Sequence, residues 1–175
     1  SNIGLVGVEK EFYDNNTKGR ELILKTKIEE IKDDYDYIII DSPPALGSIT
    51  INALSAANSV IIPIQCEFFA LEGLAQLLNT VKLIKKTINP TLDIKGFLPT
   101  MYSTQNNLSK QVFADLKEHF KNKLFVDRET ESYVVIPRNI KLAESPSFGK
   151  PIILYDVESP GSKAYQNLAN SILAS

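Results

Sequence analysis

A run of three isoleucines that ends in an aspartate, Tyr37–Asp41, constrains the fold of this chain more than any other feature. A continuous β-branched run of this length is typical of a strand buried on both faces, as in a parallel sheet. Three later runs have the same character: Ser59–Gln65, Ile94–Thr100 and Tyr133–Ile136. Because proline cannot donate to a strand ladder, the second and third strands should end near Pro63 and Pro99.

Apolar residues spaced three and four apart fill the gaps between these runs. The stripes predict amphipathic helices around Leu24–Ile31, Leu74–Ile84, Leu108–Phe120 and Leu168–Ile172. Asn106 or Asn107 is placed to cap the third helix, and Ser159–Ser162 opens the last. Residues 122–132 are expected to form a surface loop. Strands that alternate with helices predict βαβ units, and therefore an α/β three-layer sandwich with a mostly parallel sheet.

Composition limits the classes of function. The chain has 175 residues, of which 43% are hydrophobic, and its net charge is -2, as expected of one globular domain. DNA binding would therefore need a local cluster of basic residues. A single cysteine, Cys66, excludes an internal disulfide framework, and with the single histidine, His119, it disfavours a zinc site. No apolar run approaches the ~20 residues of a membrane span, and no signal peptide is recognisable, so we expect a cytosolic protein.

Ligands of open α/β sheets bind beyond the carboxyl ends of the strands. This rule selects four segments: 41–47, 65–72, 100–107 and 137–141. Asp41 follows the isoleucine run directly, and a carboxylate beside a phosphate site can hold Mg²⁺ through water. Two prolines then stiffen the loop and Gly47 allows it to turn, which suits a segment that senses a γ-phosphate. The alternative is that Asp41 ends a strand and caps the next helix.

Three long segments resemble ParA/Soj-type partition ATPases, a group of deviant Walker-motif NTPases that includes MinD. They are DYDYIIIDSPPALGSITINALSAANSVIIPIQCEFFALEGLAQLLNTV, GFLPTMYSTQNNLSKQV and VIPRNIKLAESPSFGKPIILYD. The segments occur in the family's order, cover most of the chain and favour the ParA branch over MinD. The resemblance implies a P-loop NTPase-like fold, ATP and Mg²⁺ as ligands, and a role in chromosome or plasmid segregation.

One part of the family pattern is absent from the sequence. The P-loop of the family reads K-G-G-x-G-K-[ST], whereas the only Gly-Lys pair here, Gly149-Lys150, is followed by Pro151. The resemblance therefore implies that residues 1–175 are the C-terminal two-thirds of a single ParA-like ATPase domain, truncated at its N-terminal side. Without the P-loop amides and lysine the phosphates have no cradle. We expect that this polypeptide alone does not hydrolyse ATP.

The resemblance also implies roles for individual residues. Asp41 matches the Walker B-like aspartate near Mg²⁺, and is the expected catalytic and metal-side residue. The nucleotide-sensing switch loop corresponds to Pro43, Pro44 and Gly47. The segment beside the phosphates and the dimer interface corresponds to Gln65 and Glu67. The loops around adenine correspond to Thr100, Met101, Pro137, Arg138 and Asn139. The alternative for these loops is a strand ended by proline and an ordinary turn.

Family members bind non-specific DNA as ATP-bound homodimers, and a ParB-like centromere-binding protein stimulates hydrolysis. By resemblance we expect the same partners here, a cytoplasmic and nucleoid-associated location, and no membrane. Lys82, Lys85 and Lys86 lie at helical spacing and form a candidate DNA surface, to which Lys110 and Lys141 add charge. Gln105 stands where the family usually has arginine, so no DNA role is carried to it. The alternative for each lysine is a solvated helix face.

Two other functions remain open from the sequence. The chain could be a non-enzymatic interaction module, or a truncated product whose exposed sheet edge promotes self-association. It could also be a MinD-like positioning regulator, which a C-terminal amphipathic membrane helix would favour. The last helix has Lys163 as its only basic residue, and this argues against strong attachment to anionic lipid. Binding of ATP with Mg²⁺ separates the nucleotide-dependent functions from the interaction module.

Overall fold

The computed structural model describes residues 19–43, 47–67 and 70–174. Its helices and strands, in chain order, are α1 (Ile23–Glu29), α2 (Ser48–Ala56), β1 (Ser59–Gln65), α3 (Ala70–Thr87), β2 (Asp93–Thr100), α4 (Asn107–Phe120), α5 (Ile140–Glu144), α6 (Ile152–Tyr155) and α7 (Pro160–Leu173). Single 3₁₀ turns cover Arg20–Leu22, Lys32–Asp34, Lys121–Lys123 and Ser145–Phe148. The chain divides into two compact units: Ser1–Val60 with Ala75–Asp93, and Ile61–Leu74 with Ile94–Ser175.

In the first unit, two buried asparagines tie the helices together. The side-chain amide of Asn52 donates to the carbonyls of Arg20 and Ser48, and its oxygen accepts from the amide of Leu24 at 3.2 Å. The amide of Asn89 donates to the carbonyls of Leu54 and Ala57, at 3.0 and 2.8 Å. Each side chain is buried. Buried amides are stable only when their hydrogen bonds are made. Asn52 therefore fixes where α1 and α2 meet, and Asn89 holds the segment after α3 to the end of α2.

The isoleucine run is not a strand, and the prediction for Tyr37–Ile40 was wrong. These residues have no assigned secondary structure, and the side chain of Ile39 is 92% exposed. A parallel strand is buried only when strands pair with its edges and helices cover its faces. Among the described residues, the only paired sheet consists of β1 and β2, so the run has no strand neighbour there. The local preference of isoleucine for β structure is therefore not supported by packing.

β1 and β2, which belong to the second unit from Ile61 and Ile94 onward, run parallel, and this confirms the α/β class predicted from the sequence. The amide of Cys66 donates to the carbonyl of Thr100 at 2.9 Å, just beyond the end of β1. Both strands end within two residues of their prolines, as predicted. A hydrophobic core lies at β2 and comprises Leu98, Phe125, Val134, Ile136 and Leu168, with Ile61, Leu142, Ala164 and Ile172 packed against it.

The fourth predicted strand, Tyr133–Ile136, is reduced to isolated bridges. The amide of Ile136 donates to the carbonyl of Pro99 at 2.9 Å, and the amide of Val134 donates to the carbonyl of Phe125 at 2.9 Å. The segment thus pairs with two different partners over its short length, and no continuous ladder forms. Its apolar side chains still enter the core, because Val134 and Ile136 are buried.

The loop predicted over residues 122–132 is only partly at the surface. Leu124 and Phe125 are buried, and the ring of Phe125 fills the space beside Gly96. A Cβ atom at Gly96 would lie 2.8 Å from that ring and 2.8 Å from the carbonyl oxygen of Lys123. Glycine is therefore required there by close approach, and the start of the loop belongs to the core.

The longer helices agree with the sequence predictions. Asn106 caps α4 by accepting hydrogen bonds from the amides of Leu108 and Ser109, and Ser159 caps α7 through the amide of Ser162. The stripe from Leu74 to Ile84 lies within α3. The short helices α5 and α6 were not predicted, since a segment of four or five residues has too few turns to show a period.

Candidate functional site

The candidate site lies in the second unit, where the loops that follow β1 and β2 meet. The first link between them is the hydrogen bond from the amide of Cys66 to the carbonyl of Thr100. The amide of Tyr102 then donates to the carbonyl of Ile136 at 3.1 Å, and the amide of Arg138 donates to the carbonyl of Tyr102 at 2.9 Å. The loop after β2 is therefore fixed on one side to the β1 loop and on the other to residues 136–138.

Ser109 adds a second connection, and no role was predicted for it. Its hydroxyl donates to the carbonyl of Cys66 at 3.2 Å and accepts from the amide of Ser103 at 3.2 Å. The residue is 1% exposed, on the first turn of α4. Ser109 follows an asparagine cap and lies in the family-like segment GFLPTMYSTQNNLSKQV, but neither signal distinguishes a bridging serine from an ordinary helical one.

An ion pair connects two residues that the sequence analysis placed at the site. The Nη2 atom of Arg138 lies 2.7 Å from the Oε1 atom of Glu67. Both side chains are more than half exposed, so the pair is screened by solvent and contributes little to stability. Its geometry matters more than its energy, because it brings together residues 71 positions apart in the chain. Gln65, the third residue of this group, is exposed at the end of β1.

The residues expected around adenine lie on this same edge. Met101 has a positive φ of 54°, and its side chain is 44% exposed. Pro137 forms a parallel bridge with Tyr102, directly after Met101. The side-chain oxygen of Asn139 accepts from the amide of Lys141 at 2.8 Å and so caps α5. The structure thus brings Thr100, Met101, Pro137 and Arg138 to one connected set of loops, with Asn139 orienting the helix that follows.

Cys66 is part of the scaffold of this edge. It is buried, and burial raises the pKa of its thiol to about 11, although hydrogen bonds with Ser109 and with the backbone of Thr100 act in the opposite direction. A thiol with so high a pKa is protonated at neutral pH and is a poor nucleophile. Cys66 is therefore a structural residue of this edge and not a nucleophile.

Asp41 and the switch-loop residues lie in the first unit. Asp41 and Pro43 are exposed, and the hydroxyl of Thr50 donates to the carbonyl of Pro43 at 3.4 Å. Gly47 precedes α2 with an ordinary φ of -110°, so the backbone there does not require glycine. Pro44 lies outside the described residues. The carboxylate of Asp41 is exposed to solvent, and its metal-side role stays a prediction.

The lysines of the candidate DNA surface fall in both units. Lys82, Lys85 and Lys86 are exposed on α3 in the first unit, where Lys85 lies 3.7 Å from Asp93. Lys110 is exposed on α4 in the second unit. Lys141 is engaged locally: a hydrogen bond with Glu144 raises its pKa, and its Nζ atom lies 5.7 Å from the centre of the Tyr155 ring.

Within residues 19–43, 47–67 and 70–174, no group of three or more His, Cys, Asp or Glu side chains could hold a metal ion. Among the helices of those ranges, none has both the length and the apolar character needed to cross a bilayer.

Comparisons with known proteins agree with these observations. The profile of a family described as "AAA domain" matches residues 1–94. The chain is 50% identical over 172 residues to the sporulation initiation inhibitor protein Soj of Bacillus subtilis, which covers 98% of this chain and 64% of that protein. It is 45% identical over 169 residues to the chromosome partitioning protein ParA of Myxococcus xanthus, covering 97% of this chain and 56% of that protein.

A solved structure gives the same fold. Cobyrinic acid a,c-diamide synthase from Mycobacterium smegmatis, with bound ATP analog and magnesium, superposes with a TM-score of 0.76 at 32% identity, covering 99% of this chain and 60% of that one. The chain spans 64% and 56% of the length of these two relatives. The matched segment of the AAA profile exceeds half of the chain. The chain therefore belongs to the ParA/Soj-type family of chromosome-partitioning ATPases.

Proposed function

We propose that this chain forms the base-binding and switch portion of a ParA-like ATPase that segregates DNA. The observation that supports this most is the connected edge of the second unit, where hydrogen bonds join the β1 loop, the β2 loop and residues 136–138. A nucleobase needs a rigid, partly apolar surface with a few polar groups at its rim. Met101 and Pro137 supply the apolar surface, and Glu67 and Arg138 supply the charged rim.

Asp41 is the residue that would hold Mg²⁺ in this proposal. Magnesium usually keeps several waters and takes one or two carboxylates with substrate phosphates, and an exposed Asp41 can serve as that carboxylate. When bound, the ion would neutralise charge on the phosphates. Asp41 would orient water on the ion, and the loop that begins at Pro43 would respond to the nucleotide state.

ATP hydrolysis requires more than these residues. The sequence has no K-G-G-x-G-K-[ST] segment, so the backbone amides and lysine that cradle the β- and γ-phosphates are absent from residues 1–175. We therefore propose that residues 1–175 are the C-terminal two-thirds of one ATPase domain, and that this polypeptide binds nucleotide weakly and does not turn it over. An ATPase assay in which turnover appears and is lost in Asp41→Ala would contradict this proposal.

The remaining functions belong to the proposal for the intact ATPase. They are an ATP-bound homodimer, non-specific DNA binding in the cytoplasm at the nucleoid, and hydrolysis stimulated by a ParB-like centromere-binding protein. Relatives named chromosome partitioning protein ParA and chromosome-partitioning ATPase Soj support the partitioning role within this proposal. Lys82 and Lys86 are the best candidates for DNA contacts, since both are exposed one turn apart on α3.

The DNA proposal has a direct test. Anisotropy of a labelled duplex should show weaker binding and a shallower salt dependence in the double variant Lys82→Glu/Lys86→Glu, because each phosphate contact releases counterions. Lys150→Glu/Lys163→Glu is the control that makes the same change in net charge, since both lysines are exposed and lie away from α3. If both variants lose the same amount of DNA affinity, overall charge determines binding and the α3 surface does not.

A second candidate is a non-enzymatic interaction module. The exposure of the isoleucine run favours it, because a β-prone apolar segment with Ile39 almost fully exposed is a template for pairing with another chain. Isothermal titration separates the candidates. If ATP with Mg²⁺ gives a heat of binding that is smaller in Arg138→Gln, the result supports the nucleotide-binding portion. If ATP gives no heat, and the chain self-associates in a way that Ile39→Asp abolishes, the result supports the interaction module.

A further inference from the structure

Three side chains from the short helices α5 and α6 meet around one carboxylate in the second unit. The Nζ atom of Lys141 and the hydroxyl of Tyr155 both lie 3.1 Å from the same atom, Oε2 of Glu144. The lysine ammonium also lies 5.7 Å from the centre of the Tyr155 ring, within the range of a cation–π contact. Lys141 is therefore held from two sides, by two residues to which the proposed function gives no role.

Helix geometry alone does not account for this arrangement. Lys141 precedes Glu144 by three positions, whereas an ion pair on a helix is more favourable when the acidic residue comes first. Helix α5 has five residues, which is too short for a helix to be stable by itself. Glu144 is instead oriented from outside α5, because the hydroxyl of Tyr155, eleven positions later, donates to its carboxylate.

The aromatic ring of Tyr155 is itself fixed in place. It stacks on the ring of Phe148, with the ring centres 5.1 Å apart and an angle of 29° between the planes. The backbone amide of Tyr155 donates to the carbonyl of Pro151 at 3.1 Å, and its side chain is half-buried. Because the ring is held, Glu144 cannot turn away from Lys141 without losing its hydrogen bond with the tyrosine hydroxyl.

The effect of this cluster on Lys141 is electrostatic. The hydrogen bond with Glu144 and the charge of that carboxylate raise the pKa of Lys141, and the same hydrogen bond lowers the pKa of Glu144. Both groups are therefore charged at neutral pH, and the carboxylate neutralises the lysine locally. A phosphate of DNA is also an anion that accepts from an ammonium, so it must compete with Glu144 for Lys141.

We propose that Glu144 and Tyr155 are positioning residues that hold Lys141 back from DNA, so that the chain binds duplex more weakly than its lysines allow. This inference rests on the proposed function, in which the chain binds DNA and Lys141 is a candidate contact. It adds a contact that attenuates that binding. Its consequence is that neutralising Glu144 strengthens DNA binding through Lys141, whereas a lysine on a merely solvated helix face would have no such effect.

Four variants separate this contact from overall charge. Glu144→Gln keeps the length of the side chain and removes its charge. The matched control is Glu158→Gln, which makes the same change in net charge at an exposed carboxylate 2.7 Å from Lys163. Tyr155→Phe keeps the ring and removes only the hydroxyl that orients Glu144. The double variant Lys141→Gln/Glu144→Gln removes the lysine on which the effect depends.

The assay is anisotropy of a labelled duplex, titrated with the full chain at several salt concentrations. Glu144→Gln should bind about two- to fivefold more tightly than Glu158→Gln, which is the range that an exposed ion pair can supply. Its slope of log affinity against log salt should be steeper by about 0.9, because one more phosphate contact releases counterions. Tyr155→Phe should show a smaller gain in the same direction, and the double variant should show none.

Two kinds of result would overturn the inference in distinguishable ways. If the parent chain binds duplex but Glu144→Gln matches Glu158→Gln in affinity and salt slope, or the double variant gains as much as Glu144→Gln, only the inference fails. If neither the parent chain nor Glu144→Gln binds duplex at the lowest salt concentration, the proposed DNA binding fails and the inference fails with it.

Discussion

Replacing Ser109 by alanine tests whether the loops of the candidate site are held together as described. The hydroxyl of Ser109 makes two hydrogen bonds, to the carbonyl of Cys66 and from the amide of Ser103, each at 3.2 Å. Alanine removes both and leaves two backbone groups without their partner. The side chain is 1% exposed, so the carbonyl of Cys66 has little access to water as a replacement.

The expected cost follows from these two bonds. A neutral hydrogen bond contributes about 1 kcal/mol net, and a buried group left unpaired costs about 1–3 kcal/mol. Ser103 is only half-buried, so its amide regains some hydration. We therefore expect Ser109→Ala to lower the free energy of unfolding by about 2 kcal/mol, roughly a 30-fold change in the folded-to-unfolded ratio.

Ser55 provides a matched control. It is also a buried helical serine, 0% exposed, but its hydroxyl has no hydrogen-bond partner in the part of the chain that the structure describes. Ser55→Ala removes an unsatisfied polar group and should leave stability unchanged or raise it by less than about 1 kcal/mol. Urea unfolding followed by circular dichroism measures both variants. Equal losses for the two serines would refute the bridging role of Ser109.

Three further predictions use other features of the fold. Leu116→Ala should lower the free energy of unfolding by about 2–5 kcal/mol, because Leu116 is fully buried. Ile39→Ala should lower it by less than about 0.5 kcal/mol, because Ile39 is exposed. Urea unfolding measures both variants, and a large loss for Ile39→Ala would show that the isoleucine run is packed in solution. Gly96→Ala should strongly destabilise the chain, since its Cβ would lie 2.8 Å from a backbone oxygen and an aromatic ring; a thermal midpoint equal to that of the parent would contradict the close packing. The pKa of the Cys66 thiol is raised in the folded state to about 11, so the unfolded state loses its thiol proton first and stability falls as pH rises from about 9 to 11. Urea unfolding across this range should show a steeper fall for the parent than for Cys66→Ala, and parallel pH profiles would contradict it.

The helices were predictable because their signals are local. The stripe within α4 and its cap at Asn106 are both set by residues within one or two turns, and the structure confirms both. The same holds for α7 and Ser159. An amphipathic stripe specifies a helix whatever the helix packs against, so tertiary context changes little.

The strands were less predictable because a strand depends on its neighbours. The isoleucine run has the composition of a central parallel strand, yet Ile39 is exposed and unpaired within the described chain. Tyr133–Ile136 has the same composition and forms only bridges, since it pairs with Pro99 and Phe125 in turn. A sequence pattern records the preference for an extended backbone, but not which strand lies beside it.

For the candidate site, the sequence identified the edge but not what holds it. Thr100, Met101, Pro137 and Arg138 were named from the family pattern, and the structure places them on connected loops. The bridging hydroxyl of Ser109 and the positive φ of Met101 were not predicted, because each depends on contacts between residues far apart in sequence. The role of these residues in nucleotide binding stays a prediction.

The most direct test of the central claim is a residue-resolved NMR titration of the full chain with ATP and Mg²⁺. If the chain is the base-binding portion of a partitioning ATPase, saturable shifts will concentrate in the amides of 100–103 and 136–139, and the amides of the outer face of α3 will not move. Shifts confined to other parts of the chain, or none at saturating ATP, would contradict the claim.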